Sequence, residues 1–540
     1  MKAILLNEHG TVRNFILSEI PEPKVCSGHV VIKVSASSLN PVDCKIRNGM
    51  LAAIGPELPG VLHGDVAGVV TDVGNGVEGF KVGDEVYGCI GGFKGMPGVL
   101  SEYVLADAKL LAKKPINLTM PQAASVPLVG ITSWNALIDR ANITAGQKVL
   151  VHAGAGGVGH FALQLAKAMG RLGTESAFSV LAEAKKLEAQ GKPMIHLGLG
   201  QPDFKTPKHV VEAAKKALDD GHHGYVLSNG ILECRQAVTR WIKKRYRAEV
   251  DPERIIIMPG GKPTMHYAIQ CFGEPGAEII HPTPAFPIYE SMINYTGSTA
   301  VPYDLTEDKD LKFSADKILS LITDKTRLLI LINPNNPTGS FVEKSEIDKL
   351  AEGLKKHPHV TILSDEIYSR QIFDDKEMPT FFNYPELRER LIVLEGWSKA
   401  YSMTGWRLGW SFWPENLVEH VNKLLINSVS CVNAAAQFAG IAALDGPDDS
   451  IDEMMEKFTL RRKLIHEGLN SLPGVECSLP GGAFYAFPKV IGTGMDGSEF
   501  CKRAMHEAGV AIVPGTAFGK TCKDYVRFSF AASRDNISNA

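Results

Sequence analysis

Cysteine is scarce in this sequence, and its spacing offers no pairs. Nine cysteines in 540 residues show no CxxC pair and no zinc-like spacing. That excludes a disulfide framework and a structural zinc ribbon, and it points to reduced thiols in a cytoplasm. Charge of one sign is lacking too. A net charge of −3 gives no global attraction to nucleic acid or to an anionic membrane. The basic run "KKRYR", Lys243 to Arg247, sits in an amphipathic helical pattern and reads as a solvated face. No apolar window is long enough to span a bilayer. The opening "MKAILL" has no basic stretch followed by a long apolar core, so no signal peptide is expected. What is present is ordinary for a globular protein: 44% hydrophobic and 22% charged residues. A chain of 540 residues exceeds what one hydrophobic core spans. The expectation is a soluble cytoplasmic protein of several domains.

Residues 1–170 carry short β-rich runs, "HVVIKVSAS", "VAGVVTDVG" and "KVGDEVYGCI", punctuated by Gly, Pro and Asn. Further on, "KVLVHAG" reads as a strand and "GHFALQLAKAMG" as a helix, with Gly154, Gly156, Gly157 and Gly159 around the junction. Such a turn lets backbone amides and a helix N-terminus approach a pyrophosphate. The further strands, and the ribose-reading residue about 20 positions on, do not follow. A lone βα unit cannot cover both faces of its strand. "NPVDCKIRNG", "GDVAGVV", "VGDEVYG" and "AGAGGVG" resemble the zinc-independent, quinone-oxidoreductase branch of the medium-chain dehydrogenases, in truncated form. Zinc-dependent relatives carry "GHE" where this chain reads "HGD", which puts Gly64 at the ligand position. His63 and Cys44 belong to no ligand set with zinc spacing, so no metal is assigned. The resemblance implies a GroES-like segment over 1–135 and a truncated nucleotide-binding start over 136–170. NADP(H) would need a complete nicotinamide domain, which this segment does not spell out.

From Arg171 the pattern changes. "SAFSVLAEAKKLEAQG" has helical spacing and ends at Gly191 as a C-cap predicts. The runs "RIIIMPG", "AEIIHPTP", "TRLLILINP", "VTILSDEIY" and "RLIVLEGWSK" are almost continuously apolar and end in Gly, Pro, Asn or charge. Strands of a buried, mostly parallel sheet read this way, and ligands of such sheets bind at the carboxyl ends of the strands.

The strand ends carry chemistry. Gly260, Gly261 and Lys262 form a glycine turn before a helix, a place for phosphate. Asp365 ends an apolar strand and needs a cationic partner, such as a protonated ring nitrogen. Asn336, in "NPNNPTG", offers an amide to a ring hydroxyl. Lys399 follows a strand near Trp397, Trp406, Trp410 and Trp413. A lysine in partly apolar surroundings can form a Schiff base. Arg407 is a second phosphate donor. Arg527, on the alternating run "DYVRFSFAAS", can grip a carboxylate with both arms of its fork. Each also has a plain structural reading: a turn at 259–261, a helix cap at Asp365, a self-bonded turn at Asn336, an aromatic core, a surface lysine.

Taken in order, "GQPDF", "PGGK", "PTPAFPIY", "NPNNPTG", "SDEIY", "SKAYSMTGWRLGW", "PGGAFYAFP" and "VRFSFAAS" resemble the class I, fold-type I aminotransferases that depend on pyridoxal 5'-phosphate (PLP), in the aspartate aminotransferase-like branch. The resemblance covers 171–540. It implies an α/β fold: a large PLP-binding domain over about 220–445, with a mostly parallel sheet flanked by helices, and a smaller α+β domain from 171–219 and 446–540. It implies that Lys399 is the Schiff-base lysine and proton carrier, and that Asp365 keeps the pyridine nitrogen protonated. Asn336 and Tyr368 would bond the ring oxygen, and Phe286 would stack on the ring. Arg407, Ser398 and the 260–262 turn would hold the phosphate. Arg527 and the Gly200 backbone would hold the substrate carboxylate. Tyr225, in "HHGYVLSNG", would reach the phosphate of a second subunit, which makes the protein a homodimer. One departure is Gly396, three before the lysine, where many relatives place a phosphate-binding serine.

The expected reaction moves an amino group between an L-amino acid, aspartate among the common ones, and a 2-oxo acid. Lys262 and Arg370 are nominal second cations for a dicarboxylate. The alternatives are a bifunctional fusion with NADPH-dependent quinone-oxidoreductase activity and a non-functional fusion product. Other PLP chemistry, such as β-elimination or decarboxylation, stays open.

Overall fold

The computed structural model describes residues 1–143, 149–171 and 176–540. It divides into two compact units, Met1–Gly170 and Arg171–Ala540.

The first unit is built on a five-stranded antiparallel sheet in the order Tyr103–Asp107, His29–Ser37, Asp65–Val73, Glu85–Cys89, Leu111–Lys113. Val30 and Ile32, then Val66 and Val70, lie on one face at the two-residue period of a strand and pack with Val86 and Val104. A smaller sheet orders Phe15–Glu19, Lys2–Leu6 and Gly60–Val61. The strand expected over "KVLVHAG" is not formed: Val149–Gly154 is turn and irregular chain, and Lys148 lies outside the described residues. The helix Gly157–Arg171 does form. A lone strand has no ladder partners and no second covered face, so it has nothing to hold it extended.

The second unit holds a seven-stranded sheet. Its strands are β1 (Ile255–Met258), β2 (Glu278–Thr283), β3 (Thr299–Asp304), β4 (Thr326–Ile332), β5 (Thr361–Asp365), β6 (Leu391–Gly396) and β7 (Gly409–Phe412), in the order β1-β7-β6-β5-β4-β2-β3. Only β7 runs against the rest, pairing antiparallel with both β1 and β6. The continuous hydrophobicity of these strands has a direct cause. Ile255, Ile257, Leu329, Leu331, Ile362 and Val393 enter one core. Their alternates, Ile256, Met258, Leu328, Ile330, Leu363 and Leu394, enter another. Both faces are therefore buried, as parallel sheets require. The two strands not expected were β3, a partly exposed edge containing a proline, and β7, four residues opened by glycine.

Two helices matter for the site: α1 (Leu232–Tyr246) and α2 (Lys262–Phe272), which starts directly after the turn at the end of β1. Smaller sheets join Tyr485–Ala486, Val526–Ser529 and Val513–Pro514, and pair Val510–Ala511 with Ile195–His196. The helix Ser176–Ala189 is closed by Gly191 at φ +87°, with the Lys192 amide donating to the Leu187 carbonyl at 3.1 Å. No described helix is long and apolar enough to cross a membrane.

Candidate active site

The carboxyl ends of β1, β2, β4, β5 and β6 converge on a cavity of roughly 670 Å³. Asp365, the last residue of β5, stands in its wall and is 3% exposed. Burial pushes its carboxyl up to about 6, against the pull of the Tyr289 hydroxyl, the Ile367 amide and Lys399. Tyr289 donates to Oδ2 at 2.7 Å, and the Ile367 amide donates to Oδ1 at 3.2 Å. Sequence reasoning missed Tyr289, although it closes the quoted run "PTPAFPIY". Its signal was only its place in the first turn of the helix Ile288–Thr296, and nothing local says that this turn meets β5.

Lys399 follows β6 and also lines the cavity. Its Nζ donates to the Gly200 carbonyl at 2.7 Å and lies about 6 Å from the Tyr368 and Phe484 rings. Of the tryptophans near it in sequence, Trp397, Trp410 and Trp413 are buried in the cores, and Trp406 donates to Thr206 Oγ1 at 3.1 Å. The structural reading of that aromatic cluster was the right one.

The phosphate candidates gather at one end. Gly261, Lys262, Ser398 and Arg407 line the cavity, with Gly260 directly behind them. Arg407 Nη1 donates to the Thr404 carbonyl at 2.8 Å and Nη2 to the Pro259 carbonyl at 3.4 Å. Gly260 has φ +88°, and a Cβ there would run into the Arg407 guanidinium. The same crowding explains Gly396. It pairs with Gly409 across β6 and β7, and an added Cβ would lie 2.8 Å from the Gly409 Cα. Gly409 in turn touches Gly260. Three glycines thus bring β1, β7 and β6 together, and a serine at 396 has no room.

At the other end Arg527 is 3% exposed. Its Nη1 donates to Asn336 Oδ1 at 3.0 Å and its Nη2 to the Gly198 carbonyl at 2.6 Å. The guanidinium lies 4.7 Å from the Tyr485 ring and 4.6 Å from the Phe518 ring. Tyr485, also unforeseen, shares a 2.9 Å hydrogen bond with the Tyr368 hydroxyl. Burial holds the Tyr368 phenol well above its usual range, so it remains a neutral donor. Phe286 lines the cavity wall, with Lys262 Nζ 5.4 Å from its ring. A Cβ on Gly200 would strike the Tyr485 hydroxyl, which fits a close backbone approach there.

Two expected residues lie apart. Arg370 pairs with Asp448 at 3.0 Å and does not line the cavity. Tyr225 is 92% exposed, away from its own chain's cavity. Among the described residues no group of three or more His, Cys, Asp or Glu side chains is placed to hold a metal ion.

Behind the sheet ends two further carboxyls are buried. Burial is the main cause that lifts Glu366 to about 7 and Glu395 to about 8, both from 4.5. These folded values lie above the unfolded one. The stability they support is therefore complete below pH 4.5 and is lost as pH rises through about 7 and about 8. The melting temperature is expected to fall across that window, and Glu366→Gln to flatten the fall. A melting temperature that holds level or rises there would contradict the assignment.

Against this geometry, the family profile "Aminotransferase class I and II" matches residues 192–540. The chain belongs to the class I and II aminotransferases. The aspartate aminotransferase of Bacillus subtilis (strain 168) is 33% identical over 384 residues, covering 70% of this chain and 97% of that one. The putative aminotransferase YugH of the same organism is 35% identical over 355 residues, covering 66% and 91%. Among solved structures, the aspartate aminotransferase from Rhizobium meliloti superposes with a TM-score of 0.65 at 31% identity, covering 68% of this chain and 94% of that one. The profile "Alcohol dehydrogenase GroES-like domain" matches residues 26–116, so this aminotransferase carries a GroES-like N-terminal segment.

The aminotransferase family implies PLP as cofactor, and the cavity fits it. A buried carboxylate in the wall suits a cationic ring nitrogen. A glycine cradle faces Arg407 at the start of α2, which suits a phosphate. A lysine amine, Lys399, lines the same cavity.

Proposed function

We propose that this aminotransferase exchanges the amino group of an L-amino acid, with aspartate among its substrates, against a 2-oxo acid, using PLP held in the cavity of the 171–540 unit. The observation that carries this reading is the opening of Asp365, Lys399 and Arg527 into one cavity. The names of the relatives, several of them aspartate aminotransferases, support the dicarboxylate choice. Of the two nominal second cations, Lys262 lines the cavity and Arg370 does not.

PLP, when bound, supplies an electrophilic carbonyl and an electron-withdrawing ring. The chain's own residues do the rest. Asp365 holds a negative charge against the proton of the ring nitrogen, and Tyr289 fixes the carboxylate's rotation. Asn336 and Tyr368 donate to the ring oxygen, and Phe286 covers a ring face and keeps water off it. Arg407 and Lys262 offset the phosphate charge, and Ser398 and the 260–262 turn hold the group beside them. Arg527 grips the substrate carboxylate with the Gly200 backbone beside it, and Lys399 Nζ takes and returns the proton at the substrate α-carbon.

The exposed Tyr225 supports a homodimer in which each subunit lends this tyrosine to its neighbour's phosphate. The organisation we propose is a GroES-like segment over 1–135, a truncated nucleotide-binding start over 136–170, a large domain over about 220–445 and a small domain from 171–219 and 446–540. The irregular path of Val149–Gly154 supports reading the first unit as a passenger without reductase activity. Incubated with PLP, the full chain is expected to gain a visible absorbance band that L-aspartate discharges. NADPH titration is expected to show no binding. A chain that gains no band, or one that answers no amino acid, would end the transaminase reading. Saturable NADPH binding would end the passenger reading.

A further inference from the structure

Glu395 has no part in the chemistry above, yet it joins the two segments that perform it. It sits one residue before the end of β6, on the face away from the cavity: its neighbour Leu394 lines the cavity, while Val393 and Trp397 belong to the core behind the sheet. It is 4% exposed. Oε1 accepts the Gly396 amide at 2.8 Å, and Oε2 accepts the Ser369 hydroxyl. Gly396 opens the stretch that carries Ser398 and Lys399. Ser369 closes the turn that begins at Asp365 and carries Tyr368, with its amide donating to the Glu366 carbonyl at 2.8 Å. Arg245, at the end of α1, secures the same turn by donating to the Ser369 carbonyl at 2.8 Å.

We propose that Glu395 is a positioning residue for transamination: through Ser369 and Gly396 it sets the spacing between the Asp365–Tyr368 turn and the Lys399 turn. The inference rests on the transaminase reading. Asp365 and Lys399 must address opposite ends of one rigid ring, and a misplacement of about 1 Å in such an arrangement costs about 100-fold in rate. The ladder between β5 and β6 cannot set this spacing alone. Register pairing ends at Asp365 and Leu394, and beyond it the Glu366 amide adds one bond to the Leu394 carbonyl at 2.9 Å, which leaves Tyr368 and the Lys399 stretch outside the ladder. The groups that face Glu395 are Glu366 from the end of β5, Arg245 and Tyr246 from the end of α1, and Tyr401 from beyond Lys399. In this setting burial keeps the carboxyl neutral until about 8, so it can give and accept hydrogen bonds at once. Its ionisation would set a second negative charge near Glu366 and slacken the link.

The test uses the full chain loaded with PLP and four variants: Glu395→Ala, Glu395→Gln, Ser369→Ala and the double alanine. Glu395→Ala is expected to lower kcat by about 30- to 100-fold with KM for the amino acid within about twofold, since Arg527 is untouched. It is also expected to shift the pH midpoint of the visible band, which a merely structural defect leaves in place. Glu395→Gln keeps an acceptor for the Gly396 amide and turns its own N–H to the Ser369 oxygen, so the link survives with that hydrogen bond reversed, and kcat should return to within about threefold of wild type. Ser369→Ala removes one oxygen atom and little packing, so it reports on the link even if Glu395→Ala fails to fold. The double variant is expected to be no worse than the poorer single one, because both break the same contact. Wild-type kcat and band midpoint in Ser369→Ala, or losses that multiply in the double variant, would overturn the proposal. A wild-type chain without a visible band overturns the transaminase reading instead, which is a separate failure.

Discussion

Replacing Lys399 by alanine is expected to lower transaminase turnover by about 10⁴-fold or more. Two losses combine. General acid–base transfer by a placed side chain contributes about 10²–10⁴-fold, and the covalent attachment point for the cofactor goes as well. Two other lysines line the cavity: Lys262 Nζ lies 5.4 Å from the Phe286 ring, and Lys185 is exposed on the helix Ser176–Ala189. The amine of Lys399 is held by the Gly200 carbonyl at 2.7 Å, about 6 Å from the Tyr368 and Phe484 rings. The variant should fold, because the shortened side chain leaves only cavity space. It should still retain PLP through Asp365 and the phosphate cradle, without the absorbance of the lysine-bound form. Steady-state turnover and visible spectra decide the matter together. Residual activity above about 1% of wild type would mean that another group carries the proton.

Arg527→Leu is expected to reduce kcat/KM for L-amino acids and 2-oxo acids alike by about 30- to 3,000-fold, the equivalent of about 2–5 kcal/mol for one partner of a buried, hydrogen-bonded charge pair. Both substrates carry the same carboxylate, so both half-reactions should suffer. An amine without a carboxylate should be turned over as before. Arg527→Lys keeps the charge and loses the planar fork, so it should fall between wild type and leucine. Its environment explains the scale. The guanidinium is buried between the Tyr485 and Phe518 rings and is aimed by the Asn336 amide and the Gly198 carbonyl. A substrate carboxylate arriving there meets a charge already stripped of water and already oriented. A leucine variant within threefold of wild type would place the carboxylate elsewhere.

These expectations began as residue patterns, and the patterns differed in what they could carry. The apolar runs ending in "PGGK", "SDEIY" and "EGWSK" all became strands of one sheet, because a strand buried on both faces must be hydrophobic along its length. β3 and β7 escaped notice for the complementary reason: a half-exposed edge and a four-residue strand have little apolar run to show. "KVLVHAG" had the composition of a strand and still failed to become one, since composition does not supply the neighbours that a parallel strand needs. At the site, the residues the sequence singled out were those whose chemistry is unusual for their local context: a charge ending an apolar run, or a lysine after a strand. Tyr289 and Tyr485 had no such mark; Glu395 did, closing the apolar run "LIVL", and only its partners show what it joins. Each tyrosine looks like an ordinary member of a helix, strand or core until its partner is known.

The resemblance of the ordered motifs carried the aminotransferase family, which the profile over 192–540 bears out, and much of the candidate list from Gly200 to Arg527; local patterning indicated the α/β class and the chemistry at the strand ends. It could do so because burial and backbone chemistry leave period and composition in every short stretch. Register between distant segments settled the rest. The Tyr289 hydroxyl meets Asp365 across 76 positions. Arg527 reaches Asn336 across 191. Gly396 lies against Gly409, and this contact leaves no room for the serine that relatives place there. Contacts of this kind depend on how two elements pack, to within an ångström, and no single stretch of sequence records that distance.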